Sequence, residues 1–280
     1  MLKNTPQDIE AFLQQQGQKD SDDIPLFETA LAFSALRHPS RAIERYYHQI
    51  ERMQKDVLNQ LAQQGSDHGE ARYEALKYVF VDKYGFTGNR EHYDLIDNAD
   101  ICSVLDKAKG LPVALCILYL EICDRLKWFA AGVNFPGHFI IKLNTNGQQM
   151  LIDPFGDARK LGAIELRQLI KDVKGPDAEL NQSYYNSANK REILIRLQNN
   201  IKKRQIAAED YEAALETVRV TEYIAPNEYR LLLDKGVLLA KNTRSAEAIE
   251  TLVRYITLTP YAEDRADARM FIEQIHQELL

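Results

Sequence analysis

The stretch whose reading decides the fold is Lys109–Asp157, KGLPVALCILYLEICDRLKWFAAGVNFPGHFIIKLNTNGQQMLIDPFGD. Pro112 suits the first position of a helix, where its missing N–H costs nothing and its fixed φ is already helical. From Val113 to Leu126 only Glu121, Asp124 and Arg125 are charged, so almost every face is apolar and the helix has to be buried. Beyond it, Phe139, Ile141 and Leu143 alternate with His138, Ile140 and Lys142, and Asn146-Gly147 is a strong turn signal before MLID. The stretch reads as a central buried helix followed by a β-hairpin. If the hairpin is centred between Thr145 and Asn146, His138 lies opposite Asp153; with the turn at Asn146-Gly147 the two are diagonal neighbours. Either register keeps an imidazole and a carboxylate on one face.

The order of helix start, histidine and aspartate resembles the transglutaminase-like superfamily, whose papain-related core carries a nucleophilic cysteine at the start of a central helix. More closely, the strings YGFTGN, GLPVALCILYLE, FPGHF and IDPFGD resemble a bacterial family of SirB type, from about Leu26 onward. There such a core is fused to tetratricopeptide repeats. The resemblance implies an α+β fold: a helical N-terminal region, the central helix against an antiparallel sheet, then an all-α repeat domain. It carries catalytic positions onto His138 and Asp153, but at the nucleophile's place, after Gly110-Leu111, stands Pro112. The nearest thiol, Cys116, lies four residues on, roughly 6 Å along a helix axis, whereas a thiol and its base lie within about 3 Å.

Cys116 therefore has two readings. It is a displaced nucleophile, or, with Cys123 seven residues on, one of two small buried core residues on a common stripe. His138 and Asp153 then read either as its base and orienting acid or as a dyad kept for binding without covalent chemistry.

Outward from this stretch, residues 1–90 read as helical. Asp23-Ile24-Pro25 starts a helix carrying LFETALAFSAL, and Ile43, Tyr47, Ile50, Val57 and Leu61 recur at helical spacing. RYEALKYVFVDKYGF is a further helix stopped by Gly85. Asn98 or Asp100 caps a short helix through Lys107, stopped by Gly110. After KLGAIELRQLIKDV, Gly175 to Asn189 reads as a linker, giving residues 1–175 as the transglutaminase-like domain and 190–280 as the helical repeats.

In that second region Ala214-Leu215-Glu216-Thr217-Val218 recurs 34 residues later as Ala248-Ile249-Glu250-Thr251-Leu252, and Pro226 recurs as Pro260. That period is the tetratricopeptide signature. Gly236 and Ala248 are small where paired helices approach, while Lys202 stands at Gly236's place in the first repeat. Ala266, Met270, Ile272, Ile275 and Leu279 read as a closing helix.

The 280 residues, 45% hydrophobic and 27% charged with a net charge of −6, describe a soluble globular chain. No apolar run approaches the ~20 residues of a membrane span, and MLKNTPQDIEAF lacks a signal peptide's apolar region, so a cytoplasmic protein away from membranes is expected. The 3 cysteines fit a reducing compartment. Histidine and cysteine spacings give no metal site, and without a P-loop or Gly-x-Gly-x-x-Gly no cofactor is expected. Residues 190–280 hold 14 Lys/Arg against 15 Asp/Glu, so no basic module for nucleic acid is present. Lys190 to Arg204 is a local basic strip without interleaved aromatics, read as a solvated or docking face.

Two functions follow. With Pro112 at the nucleophile's place, the chain reads as a non-catalytic scaffold or regulator whose core cleft and repeats both contact a protein or peptide partner. Alternatively it is a cysteine acyl transferase or amide hydrolase using Cys116, His138 and Asp153.

Overall fold

The computed structural model describes residues 5–145 and 147–278. The N-terminal third is helical: α1 (Pro6–Gly17), α2 (Leu26–Arg37), α3 (Glu44–Gln64) and α4 (Gly69–Lys77), the last running into a π-helical turn over Tyr78–Lys83. Tyr46, Tyr47, Ile50, Met53, Val57 and Leu61 are the buried residues of α3, the stripe its spacing announces. Strand β1 (Thr87–Gly88), helix α5 (Ile101–Lys107) and strand β2 (Lys109–Gly110) follow, with β1 and β2 paired in parallel. Asp100 is the N-cap of α5, accepting from the Ser103 N–H at 2.9 Å. The helix stops at Ala108, held left-handed at φ 53°, and not at Gly110, whose backbone is committed to the β1–β2 pair.

Helix α6 (Pro112–Arg125) is the central element, with Pro112 at its first position and Val113 through Leu120, Ile122 and Cys123 all buried. Strands β3 (Phe129–Val133), β4 (Ile140–Thr145), β5 (Gln148–Asp153) and β6 (Arg159–Lys160) come next, then α7 (Ala163–Lys174) and β7 (Ser187–Ala188). They form one antiparallel sheet in the order β6-β5-β4-β3-β7. Thr145 pairs with Gln148, which leaves the two-residue connection expected at Asn146-Gly147; Gly147 has φ 82°, while Asn146 lies outside the described residues.

Alternation along the hairpin serves two layers. Phe139, Ile141, Leu143 and Ile152 join the main cluster with α6, while Ile140 joins Leu166, Leu169 and Ile170 of α7 on the other face. The stretch read as a linker supplies the edge strand β7 and the Tyr184 and Tyr185 rings that meet Phe135.

Five helices complete the chain: α8 (Lys190–Ala207), α9 (Tyr211–Ile224), α10 (Arg230–Lys241), α11 (Ser245–Leu258) and α12 (Ala262–Glu278). Each packs on the next, and α9 at 211–224 and α11 at 245–258 are offset by 34 residues at both ends. The Leu279 assigned to the closing helix lies outside the described residues. Lys202, where the second pair has Gly236, is buried and its ammonium pairs with Asp234. One buried cluster runs from Ile9 and Leu13 of α1 through α2, α3 and α6 to Leu197 of α8 and Leu252 of α11. Among the described residues no helix is long and apolar enough to cross a membrane.

Gly236 marks the tightest approach of α10 and α11, since a Cβ there would lie 2.6 Å from Leu252 Cγ. Gly236→Ala should therefore destabilise the chain by about 1 kcal/mol, overpacking outweighing the ~1 kcal/mol of helix propensity that alanine brings. A rise in the urea midpoint of this variant would show that the approach is not tight.

Candidate functional site

The start of α6 is set by its neighbours. Leu111 donates its N–H to the Asn98 carbonyl at 2.7 Å, and Asn98, only 2% exposed, uses its side chain fully. Its Nδ2 donates to the carbonyls of His92 (2.6 Å) and Tyr93 (3.2 Å), and its Oδ1 accepts from Asn89 Nδ2 at 2.9 Å. Asn98 therefore ties the Asn89–Asn98 segment to the helix start. The cap of α5 is Asp100, and the buried Asn98 amide instead satisfies its donors and acceptor across this segment. On the other side, the 3-10 turn Pro154–Gly156 after β5 packs against α6 and β1. The Phe155 ring lies so close over Gly88 that a Cβ there would overlap it, and its edge meets Tyr93.

The three predicted site residues, Cys116, His138 and Asp153, all lie in this region. Asp153, buried at the end of β5, accepts from the Phe155 N–H at 3.1 Å and forms an ion pair with Arg159 Nε at 3.2 Å. His138 sits two residues before β4, its N–H donating to the Phe135 carbonyl at 2.9 Å. Its Nδ1 is buried without a hydrogen-bond partner. Asp153 favours the imidazolium electrostatically, while its oxygens accept from the Phe155 N–H and from Arg159 and the imidazole Nδ1 has no hydrogen-bond partner.

Cys116 is fully buried, and its thiol donates to the Phe139 carbonyl at 3.4 Å. Burial, with the Asp153 charge adding to it, pushes this thiol's pKa well above the usual range, so it stays protonated. Cys123, seven residues on, is likewise buried and pushed up to about 12. Pro112 heads the helix where a nucleophile would stand. Both thiols are thus held in the protonated form by their burial.

A family model of the transglutaminase-like superfamily matches residues 44–199, from the first turn of α3 into α8. The chain belongs to the transglutaminase-like superfamily. Within it, a UPF0162 protein of Xylella fastidiosa is 26% identical over 249 residues, 86% of each chain. A UPF0162 protein of Vibrio cholerae is 28% identical over 221 residues, 79% of this chain and 81% of its own. Protein SirB1 of Salmonella typhimurium is 26% identical over 240 residues, covering 85% and 88%. The resemblance to SirB-type proteins thus extends over most of the chain.

Around this superfamily core, α8 brings two arginines to the site. Arg196 bonds Asn134 and lies 5.4 Å over the Phe139 ring. Arg204 donates to the Tyr93 carbonyl at 2.9 Å and stacks on its ring. A hollow of about 790 Å³ opens from Asn134 and Phe139 along β7 and the polar face of α8 to the turn between α9 and α10. Its walls include Asn199, Asn200, Lys203 and Arg230. Among the described residues no group of three His, Cys, Asp or Glu side chains is placed to hold a metal ion.

Burial, the largest influence, holds the His138 pKa below its ordinary 6.5, with Asp153 pulling the other way. The unfolded chain therefore takes up this proton more readily than the folded one. The stability involved is full above pH 6.5 and is lost as the pH falls through the lower folded value. His138→Gln should flatten the acid limb of stability against pH, read as the urea midpoint, while His38, also held low by burial, keeps its own share. An unchanged limb would mean that the imidazole titrates as it does in the unfolded chain.

Proposed function

We propose that this protein is a non-catalytic member of the superfamily, which holds an extended segment of a partner protein in the hollow between the sheet edge and α8. The observation that carries this reading is the Cys116 thiol, fully buried and donating to the Phe139 carbonyl at 3.4 Å, in a helix headed by Pro112. A general base needs its orienting carboxylate to fix the tautomer and to stabilise the imidazolium. Here the carboxylate oxygens face Arg159 Nε and a backbone N–H, the imidazole Nδ1 has no partner, and the thiol faces a carbonyl. Acyl transfer has no assembled nucleophile to begin from.

Binding has better support. The hollow offers amide side chains from Asn134, Asn199 and Asn200, which pair with peptide N–H and C=O groups, and cationic ends from Arg196 and Lys203. It runs from Asn134 and Phe139, the residue after His138, to the α9–α10 turn, where Glu228 adds an acidic group, so one partner segment would touch both regions. The 34-residue offset of α9 and α11 supports reading these helices as tetratricopeptide-type repeats, a second contact surface.

Native protein mixed with an activated acyl ester should form no adduct on Cys116 by intact mass, and all three thiols should resist an uncharged alkylating reagent until the chain is denatured. Peptides selected from an immobilised library should bind Cys116→Ala as tightly as the parent and lose at least about tenfold with Arg196→Glu/Lys203→Glu, two charge reversals in contact with the ligand. An acyl-enzyme that forms in the parent and vanishes in Cys116→Ala would overturn the proposal.

A further inference from the structure

A second hollow lies at the other end of α6 from Pro112 and shares Ser187 and Ala188 of β7 with the hollow described above. It encloses about 360 Å³, within the range of small-ligand sites. Its existence follows from the sheet. Ala130 and Gly132 of β3 and Ala188 of β7 supply almost no side-chain volume there. Gly132 cannot grow to fill it, because a Cβ would come within 2.8 Å of the Phe139 ring and 3.0 Å of Ile193. Leu120 and Cys123 of α6 and the Trp128 ring complete an apolar floor.

The rim has one dominant sign. Asp22, Glu121 and Asp124 face a single cation, Lys190. Glu121 is engaged by Arg125 at 2.6 Å, whereas Asp22 and Asp124 form no ion pair among the described residues. Burial is the largest influence raising the Glu121 pKa, with Arg125 opposing it and Asp124 and Glu28 adding to it, so the negative sign of the rim rests on Asp22 and Asp124 against Lys190. The helix N-termini that border the hollow do not reverse it. That of α8 is closed by its own capping box, Asn189 and Glu192 exchanging bonds of 2.9 Å, and that of α2 carries Glu28 in its first turn. The last turn of α6 adds a partial negative charge of its own.

We propose that this hollow binds a primary alkylammonium group, its chain lying on Leu120, Cys123 and Trp128 and its charge held between Asp22 and Asp124. Two sources share that chemistry, a free aliphatic amine and a lysine side chain of a partner. An anion is opposed by the rim, and a neutral apolar molecule would leave the two carboxylates unanswered.

The molecule carries its own reporter, since the chain has 1 tryptophan and it is Trp128 in the floor. Titrating the full chain with hexylamine at neutral pH should change the tryptophan emission in a saturable way, and added salt should weaken the response. Hexanoate and hexanol should produce no such change at the same concentrations. Asp22→Asn/Asp124→Asn, a surface change that spares the fold, should weaken hexylamine by about tenfold, two partly solvated charge contacts of up to ~1 kcal/mol each. Ala130→Leu should abolish the response by filling the space while leaving every charge in place. A response to Nα-acetyl-lysine methylamide as well as to hexylamine assigns the site to a lysine side chain; a response to hexylamine alone assigns it to a free amine. No saturable change with either, an equal change with hexanol or hexanoate, or an unaltered affinity in the double asparagine variant would overturn the proposal.

Discussion

The whole arrangement follows from the need to cover α6. A helix with apolar side chains on nearly every face cannot sit at a surface, so it requires a partner on each side. The hairpin β4–β5 supplies one wall, α2 and α3 another, α8 a third, and the turn after β5 closes its first residues. The hairpin, α3 and α8 are half-buried, and α2 is buried over most of its length, so none of them would be stable alone. The central helix gives them a common surface, which is why one buried cluster links α1 to α11 instead of stopping at the sheet.

Helix α8 is the element on which two regions converge. Its apolar residues Ile193, Leu194, Leu197 and Ile201 are core. Its polar face borders the peptide-sized hollow, and its arginines reach Phe139, Asn134 and Tyr93 beside the superfamily site. The basic strip from Lys190 to Arg204 is thus divided by function. Lys202 is buried against Asp234, Arg196 and Arg204 brace the site, and Lys203 faces the hollow.

What could be read without coordinates was what repeats or alternates. Helix α6, the two-residue hairpin connection and the 34-residue offset each rest on a local period, and each has its counterpart in the structure. What could not be read depended on who wins a shared partner. Asp153 is claimed by Arg159 because a left-handed pair, Asp157 and Ala158, returns the chain sharply enough to bring that arginine back beside β5. Nothing in the spacing of His138 and Asp153 announces this competitor. The stop of α5 at Ala108 was hidden in the same way, since glycine, two residues on, is the residue statistics favour for a left-handed end. Edge strand β7 is only two residues long and has no period to detect.

Helix α1 packs mainly on α9. It also meets α2, so Ile9 and Leu13 are covered partly by the next helix in the chain and partly by an element far along it. The contact with α9 carries the larger loop-closure entropy of the two, and it clasps the N-terminal helices to the helical stack.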